Sequence, residues 1–244
     1  MKVAILGDIH GNLEALEAVL IAIGRERIDD IVCLGDIVGY GPDPLGCIYR
    51  LREVRAQIVM GNHDQAILHP DTIRSFNSTV RNSLIYSRQV LSEEEIRFLG
   101  ELPLSIEGQG EMADIVFSHA NPQCPEEWEP LFMHQKITRF MGDMANKMAF
   151  VGHTHHAGIY CKMRARAVPL TSSIVAIGPH QYLVNPGSVG QPRDGDWRAA
   201  YAILDTQQSR VELHRVEYAV KRTQEKMDEL EFPHFTIERL SKGE

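Results

Sequence analysis

Residues of the kinds that bind metal ions recur along this chain, each following a short apolar run typical of a buried strand. The apolar runs are Val3–Leu6, Ile31–Leu34, Ile58–Met60, Ile115–Phe117 and Phe150–Val151. The polar residues that follow them are Asp8, His10, Asp36, Asn62, His119, His153 and His155. Because open α/β sheets gather functional groups at strand ends, we expect these side chains to meet at one place.

The ligand types indicate which ions such a place would hold. Asp8 and His10 are two residues apart, as are His153 and His155. If each pair continues the strand before it, side-chain alternation directs both members to one point. Carboxylate, imidazole and amide oxygen form a mixed set suited to Mn, Fe, Zn or Ni, and no thiolate is offered. The pattern predicts a metal centre.

The composition is that of a globular protein with a sizeable core: 244 residues, 43% of them hydrophobic and 24% charged. The net charge is −8 without a long Lys/Arg run, so we expect no stable nucleic-acid binding. No apolar run approaches the roughly 18–20 residues of a membrane span, and no secretory leader precedes Asp8. We expect a cytoplasmic protein without a membrane partner, and the sequence leaves a homo-oligomer open.

The first ninety or so residues alternate strand and helix. Asn12 is a good N-cap for a helix with one apolar face, and Leu45–Glu53 forms a second helix. This order predicts a parallel, right-handed βαβαβ core. The segment 65–101 looks helical throughout, with a capping box at Ser92 and Glu95, and we expect it to form a helical cap beside the site.

The second half of the chain is rich in short strands and predicts a second, largely antiparallel sheet. The expected strands are Leu104–Glu107, Ile115–Phe117, Phe150–Val151, Ile159–Met163, Ile174–Ile177, Tyr182–Val184, Ala200–Leu204 and Val211–Val216. Lys221–Leu230 reads as an amphipathic helix, followed by a loose tail of about a dozen residues. We expect an α/β fold, a four-layer α/β/β/α sandwich of two facing mixed sheets. Residues 1–218 would form a single domain, and 219–244 a C-terminal helix and tail.

The number of ligands is that of a two-metal site. Two ions need about eight protein contacts if each takes four, and seven residues supply eight when one carboxylate bridges. Asp36 is the expected bridge because it is central among the ligands. Paired ions about 3.5–4 Å apart are a known device for displacement at phosphorus, in which a bridging hydroxide attacks and the phosphoryl oxygens are polarised.

His63 directly follows Asn62, so alternation predicts that its ring points away from the metals. It would then be free to act as a general acid on the leaving oxygen. Its neighbour Asp64 could hydrogen-bond to it and orient it. We therefore expect both residues to be catalytic.

Five short motifs containing these residues resemble the calcineurin-like metallophosphoesterase superfamily. They are Gly-Asp-Ile-His at 7–10, Gly-Asp at 35–36, Gly-Asn-His-Asp at 61–64, Ser-His-Ala at 118–120 and Gly-His-Thr-His at 152–155. The resemblance spans roughly residues 1–156 in the right order and spacing. It implies one metal held by Asp8, His10, Asp36 and His155, and a second held by Asp36, Asn62, His119 and His153. It also implies that His63 is the catalytic histidine.

Two further segments refine the resemblance. Asn-Pro-Gly-Ser-Val at 185–189 with Gln-Pro-Arg at 191–193 is similar to the small bacterial and archaeal phosphodiesterase branch. Protein Ser/Thr phosphatases of the superfamily carry Asp-Arg-Gly after the second aspartate, whereas this chain has Gly39, Tyr40 and Gly41. This departure disfavours a protein phosphatase and the symmetrical dinucleotide tetraphosphatase that shares the motif. Arg193 is the candidate replacement for the missing Arg and Tyr40 a candidate pocket residue. For both, an ordinary loop position is the alternative.

The expected function is a dimetal-dependent phosphoester hydrolase, with a phosphodiesterase favoured. Its substrate would be a small phosphodiester or nucleotide, attacked by a metal-bridging hydroxide with His63 as general acid. The expected cofactors are two divalent transition-metal ions, Mn²⁺ favoured and Fe, Ni, Co or Zn as alternatives. A phosphomonoesterase or nucleotide phosphatase on the same site remains open. So does a non-catalytic scaffold on the same fold, although the presence of His63 favours the enzyme.

Overall fold

The computed structural model describes residues 1–74 and 76–244 and contains two six-stranded sheets. The first sheet comprises β1 (Lys2–Leu6), β2 (Asp30–Cys33), β3 (Gln57–Ile58), β9 (Ile174–Ala176), β11 (Ala199–Asp205) and β12 (Arg210–Val216). The second comprises β4 (Ser105–Glu107), β5 (Ile115–Ser118), β6 (Met148–Val151), β7 (Gly158–Met163), β8 (Arg166–Leu170) and β10 (Tyr182–Asn185). The α-helices are α1 (Leu13–Ile23), α2 (Pro44–Glu53), α3 (Asn62–Leu68), α4 (Pro70–Ile73), α5 (Ser78–Val90), α6 (Glu93–Gly100), α7 (His134–Asp143), α8 (Val220–Glu229) and α9 (His234–Leu240). Across the described ranges, no helix is long and apolar enough to cross a bilayer.

The first sheet is built on the expected parallel βαβαβ core. β3, β2 and β1 lie side by side and run parallel, with Val3 opposite Asp30. Asn12 caps α1, since its side chain accepts a hydrogen bond from the backbone N–H of Ala15 at 3.2 Å. Because β1 and β2 run parallel, their carboxyl ends lie at the same edge of the sheet.

The two sheets face each other across an apolar layer that includes Ile5 of β1, Phe117 of β5 and Phe150 of β6. The opposite face of β1 packs with α1 and α2, and the outer face of the second sheet packs with α7. These layers form the predicted α/β/β/α sandwich of two mixed sheets.

The strands of the second half do not all join the second, largely antiparallel sheet that was expected. β11 pairs antiparallel with β1, and β12 and β9 extend the first sheet beyond it. In the second sheet β5, β6 and β10 run parallel. β11 is buried along its whole length, and β1 lies in the interior of the first sheet between β2 and β11. Both sheets are consequently mixed.

Two elements and the C-terminus differ from the prediction. β8 was not predicted because Pro169 weakens its strand pattern, and the proline is tolerated because β8 is an edge strand. α7 was missed although Ile137, Phe140 and Met141 show the spacing of a helix face. The expected loose tail instead contains α9, whose Leu240 is buried against Met227 of α8.

The segment expected to form a helical cap contains four helices, α3 to α6. The capping box of α6 is present: Ser92 Oγ accepts from the backbone N–H of Glu94 at 3.2 Å, and Glu95 accepts from that of Ser92 at 2.9 Å. α3 begins at Asn62, so the third metal-ligand motif opens a helix and does not continue a strand.

Candidate metal centre

The seven predicted ligands converge at the carboxyl ends of β1, β2, β5 and β6, as expected from the strand order. The local geometry differs from the prediction. Asp8, His10, Asp36, His153 and His155 all have left-handed φ, between +48° and +68°. The strands have already ended, and the turn of the chain, not strand alternation, directs these side chains inward. Left-handed backbone at non-glycine residues costs of order 1–3 kcal/mol each and is typically retained where function requires it.

Asp8, His10 and His155 form the first cluster, and all three are buried. His10 Nε2 lies 3.1 Å from His155 Nε2, and His155 Nε2 lies 3.4 Å from Asp8 Oδ1. The two histidines come from opposite sheets, so this cluster joins the sheets at their shared edge.

Asn62, His119 and His153 form the second cluster. His119 Nε2 lies 3.1 Å from Asn62 Oδ1 and 3.1 Å from His153 Nδ1. His119 is fully buried, whereas Asn62 and His153 are partly exposed. The second cluster is therefore the side of the centre that solvent reaches.

Asp36 stands between the two clusters. Its Oδ2 lies 3.6 Å from His10 Nε2 in the first cluster and 3.4 Å from His119 Nε2 in the second. Its Oδ1 accepts a hydrogen bond from the backbone N–H of His63 at 2.9 Å. A side chain at Gly61 would overlap the Asp36 carboxylate, so the glycine permits this close approach. Asp36 has the position expected of a bridging ligand.

The hydrogen bonds of the histidines fix which ring nitrogens carry protons. Nδ1 of His10 lies 3.1 Å from Val38 O, and Nδ1 of His119 lies 2.8 Å from Leu34 O. Nδ1 of His155 makes the same contact with the carbonyl oxygen of Gln191 at 2.6 Å. Because a carbonyl oxygen only accepts, each Nδ1 is the protonated nitrogen and each Nε2 presents a lone pair to the centre.

The residues at this centre fit divalent cations. His10 and His155 point lone pairs at each other with no proton between them. In the second cluster, His119 Nε2 faces Asn62 Oδ1, which is also an electron-pair donor. Such groups repel unless a cation lies among them, and N/O ligand sets of this kind bind transition metals.

Burial shifts the pKa of these groups towards their neutral forms. It lowers the pKa of His10, His119 and His155 well below 6.5, and that of His153 to about 4. Burial likewise raises the pKa of Asp8 to about 7 and that of Asp36 well above 3.8. The histidines are therefore neutral ligands, and a bound cation would return the carboxylates to their charged form.

His63 does not point away from the ligands as alternation predicted. Its Nε2 lies 4.0 Å from Asp36 Oδ2, and its ring lies between those of Tyr40 and Phe76, at centroid distances of 5.0 and 5.7 Å. Burial lowers the pKa of His63 to about 3. Within the described part of the chain, its Nδ1 has no hydrogen-bond partner. The ring is held beside the centre by aromatic contacts.

The expected hydrogen bond from Asp64 to His63 is not formed. Asp64 Oδ1 accepts from the backbone N–H of Ile37 at 2.9 Å and of Val38 at 3.3 Å, and its Oδ2 accepts from that of Gly61 at 3.0 Å. Burial raises the pKa of Asp64 to about 6. Asp64 thus ties the loop after Asp36 to the start of α3 and contributes to the geometry of the ligands.

Arg193 and Tyr40, the predicted substrate residues, lie together at the rim of the first cluster. The Arg193 guanidinium carbon is 5.3 Å from the centroid of the Tyr40 ring, which makes an edge contact with His10 at 4.7 Å. Burial is the main cause of the lowered pKa of His155, and the positive charge of Arg193 is the second. Both side chains are therefore close enough to the centre to act on a molecule bound there.

Sequence reasoning missed two aromatic residues at the site, Phe76 beside His63 and Trp128. The Trp128 ring lies 5.9 Å from that of His119, and its Nε1 donates to Gln65 Oε1 at 2.9 Å. Trp128 has a φ of +54°, so a turn in the loop after β5 places it there. The only signal in the sequence was a tryptophan in an otherwise acidic loop.

Two facing mixed sheets with Asp, His and Asn ligands at their joint edge are the arrangement expected of metallophosphoesterases. The calcineurin-like phosphoesterase superfamily domain matches residues 1–209, and the chain belongs to this superfamily. The resemblance drawn from the five motifs is therefore confirmed.

Similar proteins span the whole chain. An uncharacterised protein of Methanocaldococcus jannaschii is 39% identical over 243 residues, covering 99% of this chain and 98% of that protein. The structure of a metallophosphoesterase from Sphaerobacter thermophilus has a TM-score of 0.87 and 36% identity, covering 100% of this chain and 99% of that one. A hypothetical protein from Pyrococcus horikoshii shares the fold, with a TM-score of 0.83 and 21% identity over 100% of this chain and 98% of that one.

Proposed function

We propose that this protein is a metal-dependent phosphodiesterase that hydrolyses small phosphodiesters or nucleotides. The observation that carries the proposal is the position of Asp36 Oδ2, 3.6 Å from His10 Nε2 and 3.4 Å from His119 Nε2. One carboxylate oxygen within reach of both clusters is what a two-ion centre requires.

The ligands would divide between two ions around this carboxylate. Asp8, His10 and His155 would hold one ion with Asp36, and Asn62, His119 and His153 would hold the other. Bound divalent ions would activate water and polarise the phosphoryl oxygens. The mixed N/O set suits Mn²⁺, and Fe, Ni, Co and Zn remain alternatives.

The protein's own groups would bind and orient the substrate. The partly exposed Asn62 and His153 mark the side from which it would enter. Arg193 would face the phosphate with its guanidinium, over the Tyr40 ring. His63, beside Asp36, would transfer a proton to the leaving oxygen. A phosphate near His63 would raise its pKa and so favour the protonated form.

The alternative of a non-catalytic scaffold makes the opposite prediction for activity. The purified protein loaded with Mn²⁺ should hydrolyse bis-p-nitrophenyl phosphate, and a chelator should abolish the reaction. The His119→Ala variant is the matched control, because it removes one ligand from the second cluster. If no phosphodiester in a broad panel reacts with Mn, Ni, Co, Fe or Zn, the scaffold is the better interpretation. A preference for p-nitrophenyl phosphate over the diester would favour a phosphomonoesterase.

A further inference from the structure

The segment 185–191, which contains the Asn-Pro-Gly-Ser-Val motif, crosses from one sheet to the other beside the first cluster. β10 of the second sheet ends at Asn185, and the next strand of the chain is β11 of the first sheet. On the way, the backbone N–H of Gly190 donates to the carbonyl oxygen of Asp8 at 2.9 Å. The segment is therefore attached to the turn that carries the first metal ligand.

One side chain of this segment, Ser188, connects two ligands of the first cluster. Its Oγ donates to the carbonyl oxygen of Asp8 at 2.8 Å and accepts from the backbone N–H of Gln191 at 2.8 Å. The carbonyl oxygen of Gln191 in turn accepts from His155 Nδ1 at 2.6 Å. None of these four residues is more than 2% exposed. A buried chain of hydrogen bonds thus joins a ligand that follows β1 to a ligand that follows β6, on the opposite sheet.

Both ligands have backbone conformations that need such support. Asp8 has a φ of +52° and His155 a φ of +59°. Left-handed backbone at residues other than glycine persists where the surrounding structure holds it. The Asp8 carbonyl oxygen is held by two donors, Ser188 Oγ and the N–H of Gly190. The bond from His155 to Gln191 fixes the imidazole with its Nε2 towards the centre.

We propose that Ser188 is a positioning residue on which the affinity for the first metal ion depends. The proposal rests on the two-ion centre of the proposed function. Without the hydroxyl, the Asp8 carbonyl oxygen would keep only the bond from Gly190, and the N–H of Gln191 would be buried without a partner. Asp8 and His155 would both be free to shift. Loss of a hydrogen-bond partner outside the ligands typically weakens metal binding about 10–100-fold.

The second ion should depend much less on Ser188. Its ligands Asn62 and His119 make no hydrogen bond to the Ser188 hydroxyl within the described ranges, and they bond to each other at 3.1 Å. A purely structural role would not make this distinction, because general destabilisation of the protein would weaken both ions. The difference between the two sites is therefore the decisive measurement.

Calorimetric titration of the full-length, metal-free protein with Mn²⁺ can examine each site by itself. His119→Ala removes a ligand of the second cluster and leaves the first ion to be measured, and His10→Ala does the reverse. Adding Ser188→Ala should weaken Mn²⁺ binding about 10–100-fold in the His119→Ala protein and leave it nearly unchanged in the His10→Ala protein.

Ser83→Ala is the matched control for the loss of a buried hydroxyl. Ser83 is 2% exposed, and its Oγ donates to the carbonyl oxygen of Val80 within α5 at 2.9 Å. The substitution removes the same atoms without touching the segment 185–191. It should change Mn²⁺ affinity in neither protein.

An equal loss of affinity at both sites, or a loss at neither, would overturn the proposal. If Ser188→Ala does not fold, Ser188→Cys carries the same comparison, because a thiol is a weaker donor and acceptor than a hydroxyl. Hydrolysis of bis-p-nitrophenyl phosphate by the wild type is measured separately. Hydrolysis, with first-site affinity unchanged by Ser188→Ala, would remove this role and keep the proposed function. A loss confined to the first site, in a protein that hydrolyses no phosphoester, would do the reverse.

Discussion

Gly39 lies against the Nδ1 edge of His63 so closely that a side chain at position 39 would overlap the imidazole. Gly39 also has a φ of +82°, which glycine adopts without strain. This residue stands where the protein phosphatases of the superfamily carry the aspartate of their Asp-Arg-Gly motif. In this chain, backbone contact and the rings of Tyr40 and Phe76 hold His63 in place of a carboxylate.

Gly39→Ala should therefore destabilise the protein and displace His63. The left-handed backbone alone costs an alanine about 1–2 kcal/mol, and the overlap with the imidazole adds to it. Gly142→Ala is the matched control, because Gly142 lies in α7 with open space around it and should gain about 0.5–1 kcal/mol. Urea denaturation measures both. Equal effects of the two substitutions would show that the contact at Gly39 is not tight.

Asp36→Asn should lose more bound metal than any other single substitution at the centre. Asp36 Oδ2 is within reach of ligand atoms in both clusters, whereas Asp8 is near the His155 ring of the first and accepts only from the backbone N–H of His153 in the second. Metal analysis after loading with Mn²⁺ should give about two ions per wild-type chain, about one for Asp8→Asn and few for Asp36→Asn. Full occupancy in Asp36→Asn would exclude a bridging role.

His63→Ala should keep the bound metals and lose activity in a way that depends on the leaving group. General acid catalysis is typically worth about 10²–10⁴-fold, and it matters most when the leaving oxygen is basic. The variant should lose most of its rate on alkyl or nucleoside esters and much less on nitrophenyl esters. Equal losses with both, at normal metal content, would indicate that His63 positions the phosphate.

The metal-free protein should become less stable as the pH falls below about 6.5. Burial lowers the pKa of His63 to about 3 and that of His153 to about 4, and the pKa of the other three site histidines also falls well below 6.5. Below pH 6.5 the unfolded chain therefore binds protons that the folded protein excludes. Urea midpoints in the presence of a chelator should decrease from about pH 6.5 to about pH 4.

The buried carboxylates act in the opposite sense. Burial raises the pKa of Asp8 from 3.8 to about 7, that of Asp64 to about 6 and that of Asp36 well above 3.8. Between pH 3.8 and the raised pKa values, the folded protein keeps protons that the unfolded chain releases. The free energy of unfolding therefore falls as the pH rises through this range. Five histidines outweigh three carboxylates below pH 6.5, whereas above it the decline comes from Asp8 and Asp36. Asp8→Asn should flatten that alkaline decline, and added Mn²⁺ should reverse it. If the stability of Asp8→Asn declines above pH 6.5 as steeply as that of the wild type, the buried Asp8 carboxyl is not a cause of the decline.

The sequence predicted which residues meet, but not how the chain brings them together. The convergence of Asp8 with His10 was expected from strand alternation, whereas both residues have left-handed φ after β1 has ended. Nothing in the residue types distinguishes these two geometries. The hydrogen bonds of Asp64 to backbone amides were missed for a related reason, since they depend on how the loop after Asp36 folds back over α3.

The fold, too, was predictable where it depends on neighbouring residues and not where it depends on distant ones. The parallel core was predictable because each apolar run is followed at once by its helix. The partner of β1 on its other side was not, because β11 is almost two hundred residues away and its apolar pattern would suit either sheet. The approach of the last residues to the site was also out of reach, since only the folding of α9 brings Gly243 against Gly195.

The contact between His10 and His155 spans 145 residues of chain and joins the two sheets. Contacts so distant in sequence form late, because the chain must close a large loop before they can be made. A ribosome-bound chain that ends before His155 would carry six of the seven ligands and could not complete the first cluster. We therefore expect tight metal capture to report that synthesis has passed this point and that both sheets have docked. The centre would in that way distinguish molecules whose two sheets have docked from those in which they have not.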